Sequence, residues 1–278
     1  GLGDVYKRQI KHKTVFSYNS APLSAIQKLR ITPIDNGNQK ILNWNIDVIG
    51  CSIELETNDF QGNKIHLCKT VNDSKQIEIT SYGKLEIFDT NGITGPHKGN
   101  VPIDLFKFSS SYYTNVGSKI KKLASDLLRD IAGKNFSDIE LLNILSNKIL
   151  QKVKYLKGKT NIRTTAEESL GLGYGVCQDH VHIFLATTRL LGFPSRYVSG
   201  YLMLNNTRIQ DASHAWAEVF IENLGWVGFD ISNGISPDDK YVKLAVGFDY
   251  LDVIPISGIR VGDSDEEIKT KILIESKQ

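Results

Sequence analysis

The pattern of hydrophobic positions divides the chain into two parts. From residue 14 to about 105, short β-like runs alternate with turn residues: KTVFSY, SAIQKLRITP, LNWNIDVIG, IHLCKTV and KQIEITSYGKLEIF. The Asn-Gly and Gln-Gly pairs of IDNGNQ and DFQGNK are typical of tight turns between strands. The opening GLGDVYKRQ has no clear periodicity, and we expect it to lie outside the fold. We therefore predict an all-β N-terminal domain over residues 10–105.

A helical period replaces the β pattern after the linker-like GPHKGNVPID. In SKIKKLASDLLRDIAG the apolar residues recur every three or four positions, and Gly133 is placed to end the helix. SDIELLNILSNKILQKV begins with Ser137 and Glu140 in the spacing of a capping box. These segments predict two helices at the start of a second domain, over residues 106–278.

A third helix is predicted to begin at a cysteine. In GYGVCQDHVHIFLATTRLLGFP, the glycines precede Cys177, an apolar stripe follows it, and Gly192 and Pro194 end the pattern. Cys177 thus lies in the first helical turn. The segments after this helix predict strands: SRYVSGYLML, SHAWAEVFIE, GWVGFDIS, YVKLAV, YLDVIP and EIKTKILIE.

Two of these strands are expected to bring an imidazole and a carboxylate together. In SHAWAEVFIE and GWVGFDIS the odd-numbered positions are apolar, so both odd faces must meet one core if the strands form a hairpin. A three-residue loop at residues 222–224 then places Trp216 opposite Asp230. His214 becomes the diagonal neighbour of Asp230, at about 7 Å between backbones and within side-chain reach.

The residue types at these positions suit nucleophilic catalysis. A cysteine at a helix N-terminus lies near the positive end of the helix dipole and near unpaired backbone N–H groups, which favours the thiolate. His214 would accept the thiol proton, and Asp230 would orient the imidazole and favour its charged form. The N–H group of Cys177 would help to bind an oxyanion. The candidate catalytic residues are therefore Cys177, His214 and Asp230.

Other interpretations of these residues remain open. A free cysteine is more often a packing residue than a nucleophile, and this is our prediction for Cys51 and Cys68. Cys177 and His180, three residues apart on one helical face, could begin a zinc site, although structural zinc usually needs two such pairs. A binding module without catalysis on the same fold is the second class of function. We expect neither a metal nor a cofactor.

Composition excludes several classes of partner. The 33 basic and 31 acidic residues leave a net charge of +2, too small to predict binding to nucleic acid or to a membrane. The sequence has no membrane-spanning run and no apolar core of a secretory signal, so we expect a cytoplasmic protein. Three cysteines without a repeated spacing fit a reducing compartment, although a Cys51–Cys68 bridge stays open. The oligomeric state is not predicted.

The longest motifs resemble those of the transglutaminase-like superfamily, in particular its bacterial members. GYGVCQDHVHIFLATTRLLGFPSRYVSGYL, ASHAWAEVFIENLGWVGFD and YVKLAVGFDYLDVIPISG follow the order of that group's core motifs, over about residues 106–262. The β-rich first part is similar to the N-terminal domain that these bacterial proteins carry. The resemblance implies an α+β fold: a papain-like core, with the nucleophile helix packed on an antiparallel sheet, behind an all-β domain. It places a Cys-His-Asp triad on Cys177, His214 and Asp230.

The same resemblance implies a cysteine-dependent enzyme acting on peptide or carboxamide bonds of a protein or peptide substrate. Hydrolysis, as in a protease or amidase, is the favoured reaction, because nothing in the sequence specifies an amine channel. Cross-linking between glutamine and an amine is the alternative. The chain has Asp-Ile-Ser-Asn at 230–233 where the family usually has Asp-Pro-Thr-Asn, so the preference at that rim is open. Tyr155 and Gln178 are the candidates for a second oxyanion donor.

Overall fold

The N-terminal part is built from antiparallel strands. A computed structural model of the chain describes residues 5–71, 73–108, 111–205 and 207–277. Its first strands are β1 (Val5–Tyr18), β2 (Ser24–Leu29), β3 (Gln39–Ile49), β4 (Cys51–Asn58), β5 (Lys64–Thr70), β6 (Gln76–Phe88) and β7 (Ile93–Gly95). Phe16 and Ile77 of one sheet and Leu29 and Cys68 of the other share a buried cluster. Strands β1–β6 thus form two sheets that pack face to face.

The second part begins with helices and ends with strands. After a 3-10 turn (Ile103–Lys107) come α1 (Ser118–Ile131), α2 (Asp138–Lys152), β8 (Lys154–Tyr155), α3 (Ala166–Leu172), β9 (Tyr174–Gly175) and α4 (Cys177–Leu190). They are followed by β10 (Ser195–Leu202), β11 (Ile209–Gln210), β12 (His214–Ile221), β13 (Gly225–Phe229), β14 (Tyr241–Gly247), α5 (Tyr250–Val253), β15 (Ile256–Val261) and β16 (Glu266–Lys277). Within the described ranges, no helix has both the length and the apolar character needed to cross a bilayer.

The core of the second part lies between α4 and an antiparallel sheet with the strand order β14-β10-β12-β13-β7. The sheet contributes its alternating apolar face, including Ala217, Val219 and Phe229, and Phe229 packs on Phe184 of α4 at 5.5 Å between ring centres. Helix α4 is buried along nearly its whole length, since three other helices (α1, α2 and α3) and the sheet pack around it. This is the helix-on-sheet arrangement expected from the sequence, and the α+β class is confirmed.

The sheets divide the chain differently from the predicted boundary between residues 105 and 106. β16 pairs with β1 along its whole length, and β15 pairs with β2, so residues 256–277 belong to the N-terminal sheets. Conversely, β7 joins the sheet of the second part beside β13. These pairings join residues far apart in sequence, which a local hydrophobic pattern cannot reveal.

Two local predictions are corrected. YLDVIP was expected as a strand, but Tyr250–Val253 is a short helix whose N-terminus is capped by the Asp249 carboxylate, which accepts from Leu251 N. The opening segment is not wholly outside the fold, because β1 already begins at Val5 and pairs with Phe88. Residues 1–4 of that segment lie outside the described residues. Both errors concern segments too short or too irregular for a periodicity to be measured.

Candidate active site

The turn before α4 holds Cys177 at the helix N-terminus. Val176 is the extended N-cap residue, and its N–H donates to Asp179 Oδ2 at 2.8 Å. The Thr160 hydroxyl donates to the same oxygen at 2.7 Å. A Cβ at Gly175 would lie 2.6 Å from Cβ of Asp179, so glycine is needed for this close approach. The first-turn N–H groups, including that of Cys177, face no intrahelical acceptor, and they form a site for an anion.

The hairpin of β12 and β13 places His214 beside Asp230. Ile221 pairs with Gly225 and Ala217 with Phe229, which confirms the predicted three-residue loop and register. His214 Nε2 donates to Asp230 Oδ2 at 2.6 Å. The other nitrogen of the ring, Nδ1, is therefore the one available to the Cys177 thiol, which lines the same cleft and acts on the pKa of His214.

Asp230 is a fully buried carboxylate with several donors. The Tyr241 hydroxyl and Asn233 Nδ2 donate to its Oδ2 at 2.6 and 2.7 Å, and Asn233 N donates to its Oδ1 at 3.2 Å. Burial alone would raise the pKa of Asp230, but the hydrogen bond and charge of His214 and these donors hold it below its usual value. Asp230 is thus ionised at neutral pH. Sequence reasoning missed Tyr241, whose only signal was its place on a strand of the same sheet.

The two neighbours of His214 favour its charged form. Burial lowers the pKa of His214, but the hydrogen bonds to Asp230 and Cys177, together with their charges, outweigh burial and raise it to about 10. The imidazolium form is therefore stable at neutral pH. An imidazolium at this position provides a positive charge on the side of the cleft where Cys177 lies.

An open cleft of about 770 Å³ leads to the half-buried thiol. Its floor is formed by Cys177 and His214. One wall is the segment between β8 and α3, with Ile162 exposed, and the other is the segment between β10 and β12, with Leu204 and Ile209 exposed. The cleft therefore has a volume in the range of ligand-binding pockets and is partly apolar on both sides.

Tyr155 is the other polar group beside the sulfur. It pairs with Gly175 through the short parallel strands β8 and β9, and this pairing fixes its backbone just before the nucleophile. It lines the cleft together with Cys177, and burial, followed by interaction with Cys177 and Asp230, raises the pKa of its hydroxyl to about 12. Gln178, the alternative candidate, instead donates its Nε2 to the carbonyl oxygen of Ile162 at 3.5 Å. The structure thus places Tyr155, and not Gln178, against the sulfur.

Comparison with known families matches both parts of the chain. The profile of the transglutaminase-like superfamily matches residues 125–231, and that of the bacterial transglutaminase-like N-terminal region matches residues 8–86. The chain belongs to the transglutaminase-like superfamily. The first match contains Cys177, His214 and Asp230, so the segments that form the cleft floor are those shared with the superfamily.

Relatives of this transglutaminase-like protein extend over its whole length. An uncharacterised protein of Mycobacterium leprae is 25% identical over 273 residues, covering 93% of this chain and 94% of the relative. An uncharacterised protein of Mycobacterium tuberculosis is 24% identical over 289 residues, covering 96% and 91%. The crystal structure of a proposed cysteine protease from Cytophaga hutchinsonii has the same fold, with a TM-score of 0.77, 22% identity, and coverage of 99% of this chain and 92% of that one.

The transglutaminase-like chain departs from the usual family motif just after Asp230. Ile231 is fully buried in the core, and the Ser232 hydroxyl donates to His180 Nδ1 at 2.8 Å. Asn233 is retained and binds Asp230. The turn therefore connects Asp230 to α4 through His180, a contact that no local pattern indicated.

His180, the histidine considered for zinc, and the nearby His182 have other partners. His180 Nε2 donates to the carbonyl oxygen of Val153 at 2.9 Å, so both of its ring nitrogens are engaged. His182 is fully buried, stacks on Tyr113, and accepts from Tyr250 N at 3.4 Å; burial lowers its pKa to about 3. Over the described ranges, no group of three or more His, Cys, Asp or Glu side chains is placed to hold a metal ion.

Proposed function

We propose that this transglutaminase-like protein is a cysteine hydrolase that cleaves a peptide or carboxamide bond through a thioester on Cys177. The observation that carries the proposal is the convergence of three side chains at the floor of the cleft. The thiol contacts an imidazole whose Nε2 lies 2.6 Å from the buried Asp230 carboxylate, and that carboxylate is held by two further side chains. The fold of the proposed cysteine protease from Cytophaga hutchinsonii is consistent with this function.

The first half of the reaction forms the thioester. The thiol gives its proton to His214, and the sulfur attacks the carbonyl carbon, forming a C–S bond and an oxyanion. The oxyanion is stabilised by the N–H of Cys177 and by the Tyr155 hydroxyl. The imidazolium then donates its proton to the leaving nitrogen as the C–N bond breaks, and an amine is released.

The second half releases the acyl group. His214 removes a proton from water, the resulting hydroxide attacks the thioester, and a C–O bond forms as the C–S bond breaks. The sulfur leaves as a thiolate paired with the imidazolium, and the product is a carboxylic acid. Asp230 keeps its charge throughout and acts by orienting and stabilising the ring. An amine in place of water would give the cross-linking reaction, but the open cleft admits water freely.

Trapping the acyl group tests this proposal directly. The protein is incubated with a peptide pool, quenched in acid and analysed by mass spectrometry. Cys177 of the wild type should carry an acyl group, and turnover should disappear in Cys177→Ala but persist in the control Cys51→Ala. Incorporation of oxygen from labelled water into the product identifies hydrolysis, whereas an amide product with an added amine identifies transfer. A chain that folds but neither turns over nor reacts with iodoacetamide at Cys177 would be a binding module, and the proposal would fail.

We further propose a cytoplasmic location. Cys51 and Cys68 are buried free thiols that contact each other within the N-terminal sheets, a pair that an oxidising compartment would be expected to bridge. Mass spectrometry after alkylation of the protein under denaturing, non-reducing conditions should find three alkylated cysteines. A disulfide between Cys51 and Cys68 in protein isolated from its native host would contradict this location.

A further inference from the structure

A second cavity adjoins the cleft. It has a volume of about 590 Å³, and Asn161 lines both cavities. Its charged lining consists of Lys119, Lys159, Arg163 and Glu168. Three cations therefore face one carboxylate beside the cleft, in a protein whose total charge is only +2. We call this second cavity the cationic pocket.

The cations of this pocket are available to a ligand. Lys159 and Arg163 form no ion pair with any described residue, and Lys119 Nζ is 3.8 Å from Glu167 Oε1, a long contact. The carboxylates nearby are already engaged. Glu168 accepts from Thr165 N and Thr165 Oγ1 at 2.8 and 2.9 Å and caps α3.

Glu167 is engaged in the same way at the next helix. It accepts from Lys119 N and Ile120 N at 2.7 and 3.0 Å, so it neutralises the positive end of α1. Both carboxylates therefore compensate helix termini more than they compensate the side chains of Lys159 and Arg163. The pocket keeps an excess of positive charge.

The segment that carries these cations is held in place relative to the thiol. Asn161 Oδ1 accepts from Arg163 N at 2.8 Å, and Asn161 N donates to Thr164 Oγ1 at 3.0 Å, which fixes the turn. One residue earlier, Thr160 donates to Asp179, the carboxylate that also orders the turn before Cys177. The segment that lines the cationic pocket and the turn before the nucleophile thus both donate hydrogen bonds to the buried Asp179 carboxylate.

We propose that the cationic pocket binds a carboxylate of the acyl-donor peptide, so that the enzyme prefers substrates with an acidic residue a few positions from the bond attacked. This inference rests on the proposed function. An arginine and two lysines around one cavity suit a carboxylate, because guanidinium and ammonium groups both donate charge-assisted hydrogen bonds to it. The acidic Asp211 on the opposite wall of the cleft disfavours a carboxylate there and gives the bound peptide one direction.

Matched electrophilic peptides test this preference. Chloroacetyl peptides carry either glutamate or glutamine at the second, third or fourth residue from the electrophile, and the rate of labelling of Cys177 is followed by mass spectrometry. At low salt we expect at least one glutamate peptide to react about three- to tenfold faster than its glutamine partner. The ratio should approach one in the double variant Lys159→Gln/Arg163→Gln and at high salt. The control Lys121→Gln, an exposed lysine on α1, should keep the wild-type ratio.

Binding separates this inference from the function on which it rests. The same peptides with a fluorophore in place of the electrophile are titrated against Cys177→Ala protein, so that the pocket is tested whether or not the thiol reacts. Tighter binding of the glutamate peptide, lost in the double variant, supports the cationic pocket. Equal binding and equal labelling of both peptides at every position would overturn it, even if iodoacetamide shows a reactive thiol. A failure of iodoacetamide to label Cys177 would instead count against the proposed hydrolase.

Discussion

At the scale of single residues, the sign of the electrostatic effect on His214 decides whether the thiol is activated. Burial opposes the imidazolium, whereas the Asp230 carboxylate and the thiol favour it, and the net result is a pKa of about 10. A neutral side chain in place of Asp230 removes the larger of the two effects that raise the pKa of His214. The effect of burial should then dominate, and the pKa of His214 should fall so that the ring is neutral at pH 7.

Asp230→Asn is therefore expected to slow the reaction of Cys177 with iodoacetamide at pH 6–7 by about 10²-fold, because the imidazolium beside the sulfur would be lost. Alkylation rates measured from pH 5 to 9 check this. In the control Tyr241→Phe, which removes one donor but keeps the carboxylate, the rate should fall less than about tenfold. A rate for Asp230→Asn equal to that of the wild type would show that the carboxylate does not support the imidazolium.

Tyr155 is expected to act on the oxyanion. Removing one oxyanion donor typically costs about 10²- to 10³-fold in kcat, so Tyr155→Phe should lower kcat for a peptide by about 10²-fold. Alkylation by iodoacetamide forms no oxyanion, and its rate should change less than about threefold. Stopped assays with one peptide and one alkylating reagent compare the two. Equal losses in both assays would mean that the hydroxyl acts on the sulfur itself.

At the scale of elements, the hairpin shows what could be predicted from the sequence. Alternation with a period of two and a short loop leave one register for β12 and β13, and that register alone places His214 near Asp230. The Tyr241 donor to Asp230 could not be predicted in this way, because Tyr241 lies on β14, which is separated from β12 by β10. Local patterns therefore predict partners within a hairpin but not across a sheet.

The same sheet contains a buried ionic cluster that crosses three strands. Glu218 on β12 forms ion pairs with Arg196 on β10, at 2.6 Å, and with Lys243 on β14. Arg196 also lies over the Trp226 ring at 4.0 Å. Burial alone would raise the pKa of Glu218, but the two cations hold it at about 2. Removal of one partner from a buried ion pair of this kind lowers the stability of the protein strongly, because the other charge stays buried without a partner.

This cluster predicts a defined loss of stability in acid. The pKa of Glu218 is lower in the folded protein than in the unfolded one, so its stabilisation is present above about pH 4.5 and is lost as the pH falls toward 2. The loss should be roughly 3 kcal/mol in the free energy of unfolding. Urea denaturation at pH 6, 4, 3 and 2 measures it. Glu218→Gln should be less stable at pH 7 by about 3–5 kcal/mol and should lack this part of the acid dependence. Parallel pH curves for the two proteins would refute the assignment.

At the scale of the whole molecule, the N-terminal sheets are connected to the cleft. β11, which contributes Ile209 and Gln210 to the cleft wall, is the outer neighbour of β16 in the sheet that also contains β1. The sequence suggested two consecutive domains because the change from β to helical periodicity is local, whereas the return of the last strands to the first sheet is not. The sheet that contains β1 is thus continuous with one wall of the cleft.

Whether this sheet supports the cleft wall can be tested at one hydrogen bond. Ile274 N in β16 donates to the carbonyl oxygen of Arg208 at 3.1 Å, just before β11. Ile274→Pro removes this donor on the side facing β11, where only two residues pair, while Ile274→Ala removes similar packing and keeps the donor. If the N-terminal sheets hold the cleft wall, the proline variant should react about fivefold more slowly than the alanine variant with chloroacetyl peptides. Both variants should react with iodoacetamide at similar rates, because the small reagent does not use the wall. Circular dichroism establishes that both are folded, and equal peptide rates in the two folded variants would mean that β11 keeps its position without β16.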